Sequence, residues 1–112
     1  MLNVLLVGVG GFLGSIARYG VGMAVGSHGT LVVNVAGCFV IGLLAGRGGF
    51  STPARAFLFV GVLGGFTTFS AFGLETFQLL RAGQWPTAAL SLGAQLVLGL
   101  GAVWAGFFLA TR

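Results

Sequence analysis

Residues 61–72, which read GVLGGFTTFSAF, bring together side chains that could handle an ion inside a membrane. Gly64 and Gly65 expose backbone and weaken a helix, and the hydroxyls of Thr67 and Thr68 offer competing hydrogen bonds. The stretch is otherwise apolar, so we expect a transmembrane helix that breaks near its middle. A bilayer tolerates non-helical backbone only where protein buries it or where it lines a polar cavity. The pattern therefore indicates an ion or substrate site at the break.

Two phenylalanines in the same stretch indicate whether the ion is an anion or a cation. Phe69 and Phe72 are three residues apart, so in a helix their rings lie on one face. The edge of an aromatic ring is positive and attracts an anion without a formal charge. Hydroxyl and amide donors nearby complete a lining that favours an anion. Because the chain has 11 phenylalanines, core packing or lipid contact remains the alternative for both rings.

Two other polar residues fall inside apolar runs and need partners there. The amide of Asn34, in TLVVNVAG, carries donors and an acceptor that hydrocarbon cannot satisfy. A hydrogen bond between helices and a contact with a permeant ion explain Asn34 equally well. Glu75 lies three residues beyond Phe72 and could be a proton or cation ligand. A structural or interfacial role is favoured for Glu75, because Arg81 follows within two helical turns.

The remaining polar candidates lie on the first and fourth apolar runs. Arg18 is followed by Tyr19, a pattern typical of an arginine that extends to the interface beside an aromatic anchor. Ser91 and Gln95 are four residues apart, so they share a helix face and could line a polar path.

The sequence excludes several chemistries. Cys38 and His28 each stand alone, so no zinc site is expected and the thiol has no disulfide partner within the chain. Glu75 is the single carboxylate, which leaves no second acid for acid–base catalysis or for a proton relay. We therefore expect no enzyme activity.

Composition places all of these residues in a membrane protein. Hydrophobic residues make up 57% of the 112, charged residues only 5%, and the mean hydropathy is +1.10. A soluble domain carries roughly a quarter charged residues. Apolar runs cover about residues 2–25, 30–46, 55–80 and 86–110, each long enough to span a bilayer. The sequence predicts an all-α integral membrane protein, with residues 1–112 forming a single domain of four transmembrane helices.

The positive charges are almost evenly divided between the two predicted sides. Four spans would place three arginines opposite two arginines and a histidine: Arg47, Arg55 and Arg112 against Arg18, Arg81 and His28. So weak a bias permits insertion in both orientations, and hence an antiparallel homodimer. A single orientation remains the alternative. In a membrane chain the net charge of +4 concerns topology, so we expect no nucleic-acid partner.

Glycine is unusually abundant, with 22 residues. Several occur at four-residue spacing, which puts small residues on one helix face and lets helices approach closely. The pairs are Gly10 and Gly14, Gly22 and Gly26, Gly42 and Gly46, and Gly61 and Gly65. We expect close helix packing, and the amount of small-residue surface also favours oligomerisation.

Three blocks together resemble the Fluc (CrcB) family of fluoride channels. They are GGFLGSIARY at 10–19, TLVVNVAGCFVIG at 30–42 and GVLGGFTTFSAFGLET at 61–76. The resemblance implies an antiparallel, dual-topology homodimer with two pores that exports fluoride passively across the inner (plasma) membrane. It also implies a structural sodium ion at the dimer centre.

The resemblance assigns a role to most of the candidates. Phe69 and Phe72 resemble the phenylalanines whose edges face fluoride, with each pore taking rings from both subunits. Asn34 resembles the pore asparagine, Thr30 a residue at the pore mouth, and Ser70 a hydroxyl of the polar track.

Three further residues complete the assignment by resemblance. Gly64 and Thr67 resemble the residues whose backbone carbonyls hold sodium. Arg18 resembles the family's arginine near the wide vestibule, a role that competes with the interfacial one.

The chain also departs from the family pattern. Ala71 stands where a second threonine is common, and Gly99 and Val103 stand where fourth-span hydroxyls are expected. Ser91 and Gln95 are then the polar candidates on that helix.

The competing interpretation is a small, four-spanning, dual-topology multidrug transporter coupled to protons. That class depends on a glutamate in its first span, and the first span here has none.

Overall fold

The protein is described by a computed structural model that covers residues 1–112, and it is entirely helical. Helix α1 is Leu2–Val25, and a 3₁₀ turn at Gly26–His28 leads into α2, Gly29–Arg47. The helical stretch from Thr52 to Arg81 is made of several pieces described below. The last long helix is Trp85–Ala110. The observed helices agree closely with the four apolar runs predicted from the sequence.

The first two helices are joined by a tight reversal rather than forming one rod. A straight helix of the 46 residues Leu2–Arg47 would be about 69 Å long. The longest dimension of the whole chain is only 47 Å. Gly26 makes the turn with a φ of 74°, and the Cα of Gly22 lies 3.0 Å from where a Cβ on Gly29 would be. This positive φ explains why glycine occupies position 26.

Three helical stretches are long and apolar enough to cross a membrane. They are Leu2–Arg47, Thr52–Arg81 and Trp85–Ala110. The predicted class, an all-α integral membrane protein, therefore agrees with the fold.

The stretch from Thr52 to Arg81 contains the predicted break. It begins with α3, Thr52–Arg55, continues as a π-helix over Ala56–Leu63, and ends its first half with α4, Gly64–Phe66. Thr67 and Thr68 then have extended backbone, and α5 runs over Phe69–Arg81. The helix breaks two residues after the glycine pair, because the threonine side chains form the local hydrogen bonds. The π-helix was not predicted from the sequence.

Both sides of the break are capped by threonine hydroxyls. The Thr67 hydroxyl donates to the carbonyl of Leu63 at 2.9 Å, which closes the end of α4. The Thr68 hydroxyl accepts from the backbone N–H of Ala71 at 3.2 Å, as the N-cap of α5. These bonds confirm that the hydroxyls compete with the helix at this point.

Glycines let the helices pack backbone to backbone within the chain. A Cβ on Gly42 would overlap the carbonyl oxygen of Val103, and one on Gly106 would overlap that of Phe39. The last helix, Trp85–Ala110, is hereafter α6, and these two sites seat it against α2. Gly10 and Gly61 lie in the same kind of contact between α1 and the π-helix. The packing role predicted from glycine spacing is confirmed for three of the four pairs, but not for Gly22 and Gly26, where nothing lies within 4 Å of an added Cβ.

The outer surface of this bundle is apolar. Only 12 of the 112 residues are buried, and Trp104 and Tyr19 are 73% and 71% exposed. Large apolar side chains line the outside of α1 and α6, as in a protein whose solvent on those faces is lipid.

Candidate functional site

The side chain of Asn34 joins α2 to the break. Its Oδ1 accepts from the backbone N–H of Thr68 at 2.8 Å, and its Nδ2 donates to the carbonyl of the same residue at 3.0 Å. Thr68 has left the helix, so in a bilayer its backbone would otherwise lack partners. One amide side chain thus replaces the lost helical hydrogen bonds.

The second N–H of the Asn34 amide is also used. Nδ2 donates to Oε1 of Gln95 on α6 at 3.1 Å. The structural interpretation of Asn34, a hydrogen bond between helices, is confirmed, and it extends across three elements. Contact of Asn34 with a permeant ion stays a prediction.

Arg18 also reaches the break. Its Nε donates to the carbonyl oxygen of Gly65 at 3.0 Å, and the side chain is half-buried. Arg18 lies within α1, seven residues before its last residue, Val25. The helix-end position assumed for an interfacial arginine is therefore not what the structure shows. Its guanidinium instead places a positive charge beside the broken helix.

The break leaves carbonyl oxygens available at Gly64 and Thr67. In a continuous helix the N–H of Thr68 would bond to Gly64, but here it donates to Asn34. None of the hydrogen bonds in turns, loops or caps ends on the carbonyl of Gly64 or Thr67. Both residues are at least partly exposed, so the two oxygens resemble the donors that a hard cation prefers.

A cavity of about 400 Å³ opens beside the break, and we call it the break cavity. Its lining contains no charged side chain. The polar and aromatic residues around it are Asn34, Thr67, Thr68, Gln95, Phe59, Phe69 and Phe72. The cavity thus combines neutral hydrogen-bonding groups with phenylalanine rings, the residue types predicted for an anion path.

Phe69 and Phe72 meet edge to face in this cavity. Their ring centroids are 5.6 Å apart and the ring planes make an angle of 66°. Phe72 is buried at 6% exposure, whereas Phe69 is 81% exposed. The predicted pair therefore comes together, but a single chain covers only one of the two rings.

A second cavity, of about 700 Å³, lies between the 3₁₀ turn, α5 and α6, and we call it the polar cavity. Ser91 lines it, as do His28 and Glu75. The hydroxyl of Thr30, close by on α2, donates to Oε1 of Glu75 at 2.6 Å. Thr30 thus gives Glu75 a hydrogen-bonded partner, in agreement with the structural role that the sequence favoured.

Most of the predicted site residues line one of these two cavities. Asn34, Gly64, Thr67, Phe69 and Phe72 all line the break cavity. Ser91 lines the polar cavity, and the exposed Ser70 hydroxyl lies 3.3 Å from that of Thr68. Arg18 contacts the break from α1.

Gln95 is the residue whose importance the sequence underestimated. Its spacing from Ser91 had marked a shared face that could line a polar path, and the structure adds that it bonds Asn34 and lines both cavities. Gly99, one turn further along α6, is buried, with Cys38 Sγ 3.6 Å from where its Cβ would lie. A hydroxyl side chain was expected at position 99 by resemblance to the family, and glycine stands there instead.

Comparison with known proteins places this sequence in a family. The sequence profile described as "CrcB-like protein, Camphor Resistance (CrcB)" matches residues 5–107. A protein of Hyphomonas neptunium named "Fluoride-specific ion channel FluC" is 44% identical, over 100% of this chain and 98% of its own length. Proteins with the same name from Methylobacillus flagellatus and Opitutus terrae are 46% and 44% identical, over 96% and 95% of this chain and 93% and 90% of their own.

Proposed function

We propose that this chain, which belongs to the CrcB family, is a passive, fluoride-selective ion channel of the plasma membrane. Its full-length relatives carry the name of such a channel, and the chain is a multi-pass membrane protein. The single observation that supports the proposal best is the break cavity, which brings phenylalanine rings and neutral polar groups together at the broken helix.

The lining of the break cavity suits an anion in transit. Fluoride is small and strongly hydrated, so a pore must replace its water with several donors at close range. The ion must also be able to leave the cavity. Because the lining carries no fixed charge, it should not bind the ion too tightly for that. The edges of Phe69 and Phe72 attract the anion without a formal charge.

We further propose that the chain crosses the membrane four times. The reversal at Gly26 divides Leu2–Arg47 into α1 and α2, of 24 and 19 residues. Each is about as long as a span requires. With Thr52–Arg81 and Trp85–Ala110, this makes four spans.

The working unit in this proposal is an antiparallel homodimer with two pores. The support is the position of Phe69, which is 81% exposed although it packs in a T-shaped pair with the buried Phe72. A second copy in the opposite orientation would cover this ring and complete the wall of the cavity. The weak charge bias of the loops allows both orientations.

A sodium ion at the centre of the dimer would be held by the backbone carbonyls of Gly64 and Thr67. Neither oxygen accepts any of the backbone hydrogen bonds found in turns, loops or caps. Hard cations bind oxygen ligands of this kind. When bound, the ion would interact favourably with these two carbonyls, which find no hydrogen-bond donor in the hydrocarbon of the bilayer. Asn34 and Arg18 hold the neighbouring backbone of Thr68 and Gly65 in place.

A proton-coupled multidrug transporter is not favoured. Glu75 is the single carboxylate of the chain, and it lies in α5 rather than in the first span. Its hydrogen bond to Thr30 gives it a structural partner.

The test is fluoride efflux from liposomes that contain only the purified protein. A fluoride electrode should record rapid efflux when the membrane potential is dissipated, and a chloride electrode should record almost none under the same conditions. Protein-free liposomes give the background. Retention of fluoride, or chloride efflux at an equal rate, would show that the proposed function is wrong.

A further inference from the structure

Two side chains that can carry charge near neutral pH line the polar cavity. They are Glu75 on α5 and His28, the last residue of the 3₁₀ turn. The break cavity has no charged side chain in its lining. Gln95 lines both cavities, so the two adjoin. An anion that leaves the break cavity on this side would therefore pass the carboxylate and the imidazole.

The net charge of the polar cavity depends on the protonation of His28. Glu75 is the single acidic side chain of the protein, and it accepts a hydrogen bond from the neutral hydroxyl of Thr30. Carboxylates are ordinarily ionised at neutral pH, so a neutral imidazole leaves the cavity with one net negative charge, which opposes the entry of an anion. Protonation of His28 brings the sum to zero. Histidine is the side chain whose charge normally changes between about pH 5 and pH 8.

No other charged side chain lines this cavity. The residues that α2 and α6 contribute are neutral, and α5 contributes Glu75 as its one charged residue. Helix α1 packs against the 3₁₀ turn but contributes no residue to the lining. Arg81, at the end of α5, is exposed and lies outside the lining. His28 is itself exposed, so a proton from solvent can reach the imidazole.

We propose that His28 is an anion-attracting residue at the mouth of the polar cavity, and that its protonation cancels the charge of Glu75 and admits fluoride. This inference rests on the proposed channel function. The sign of the charge that lines a cleft changes the rate at which ions enter it by about tenfold or more. Fluoride efflux should therefore be severalfold faster at about pH 6 than at about pH 8. No helix has to move, because only the charge of one side chain changes.

The test is fluoride efflux from liposomes at about pH 6 and at about pH 8, with the same buffer inside and outside. Equal buffers remove any pH gradient and expose both faces of an antiparallel dimer to the same pH. Protein-free liposomes at each pH measure the leak of hydrogen fluoride through the lipid. After that leak is subtracted, the wild-type protein should conduct severalfold faster at the acidic pH.

Three variants set the charge of the cavity independently of pH or shift it by one unit. His28→Gln leaves one negative charge at both pH values, so its efflux should be slow and independent of pH. His28→Arg fixes the sum at zero, so its efflux should be fast and independent of pH. Glu75→Gln at the alkaline pH should match the wild type at the acidic pH, because the sum is zero in both. A purely structural role of His28 would not produce this order.

Arg81→Gln is the matched control, since it removes a positive charge at the end of α5 but outside the cavity. It should keep the wild-type dependence on pH. A wild type that conducts equally at both pH values would overturn the inference, and so would a His28→Gln protein that keeps the pH dependence. If His28→Gln does not fold, retained pH dependence in His28→Arg has the same meaning. A wild type that releases no fluoride at either pH would instead remove the channel function itself.

Discussion

The carboxamide of Asn34 forms a two-point pair with the backbone of Thr68, at 2.8 and 3.0 Å. A side chain on one helix therefore holds both the N–H and the C=O of a residue that has left another helix. The pair fixes the position of the break relative to α2, and with it the cavity that Phe69 and Phe72 line.

Asn34→Leu should destabilise the protein, because the near-isosteric leucine leaves two backbone groups of Thr68 without partners. Each unsatisfied group costs about 1–3 kcal/mol. Thermal unfolding in detergent, followed by circular dichroism, measures the loss. Asn3→Leu is the control, since Asn3 is exposed near the start of α1. An Asn34→Leu protein as stable as the wild type would show that the pair does not hold the break.

Phe69→Ile should cut fluoride flux heavily while leaving the fold of the single chain intact. Isoleucine keeps apolar bulk but has no positive ring edge, and Phe69 is 81% exposed. Fluoride efflux and cross-linking of the dimer are measured together. A purely packing role for the ring predicts near-normal flux instead.

Phe72→Ile should also cut flux, and it should lower stability by about 1 kcal/mol because the ring is buried. Comparing the two variants separates the contribution of a ring to ion conduction from its contribution to packing. Only Phe72 is buried within one chain, so only its replacement should lower stability. If both variants conduct as the wild type does, the rings are not part of the ion path.

Gly106→Ala should weaken the packing of α2 on α6. The new Cβ would overlap the carbonyl oxygen of Phe39, and overpacking of this kind costs about 1–3 kcal/mol. Gly101→Ala, on the same helix but with no atom within 4 Å of its Cβ, should have little effect. Equal unfolding temperatures for the two variants would contradict the close contact.

Glu75→Gln should keep fluoride flux, since a passive anion path needs no titrating carboxylate and the amide oxygen can still accept from Thr30. Efflux is measured with and without a pH gradient. A dead variant, or flux driven by the gradient in the wild type, would favour a coupled transporter.

Exchange of sodium for choline should lower the thermal stability of the dimer, because a bound cation stabilises the state that holds it. The unfolding temperature should rise with sodium concentration and level off. A stability that does not depend on sodium would contradict the cation site proposed at Gly64 and Thr67.

The sequence was informative wherever one residue type carries a strong physical constraint. Apolar length predicted the helices to within a few residues, and the threonines after Gly65 predicted the break. Four-residue glycine spacing predicted close packing, as at Gly42 and Gly46. These signals are local, so one chain read in order is enough to find them.

The sequence was less informative about which distant groups meet. Asn34 and Gln95 are 61 residues apart, and Arg18 is 47 residues from Gly65. No spacing rule connects such positions, and the bond from Arg18 depends on how α1 crosses the break. The π-helix was missed because its residues, AFLFVGVL, do not differ in propensity from those of an α-helix.

The hydrogen bonds around Asn34 also bear on how the protein is made. No buried side-chain nitrogen or oxygen lacks a partner within one chain. A newly inserted copy can therefore satisfy its buried side chains in the bilayer while it is still alone, whereas in the proposed dimer the carbonyls of Gly64 and Thr67 would gain their cation only when two copies meet. Biogenesis then separates into insertion and later encounter, and the rate of assembly should depend on the density of the protein in the membrane.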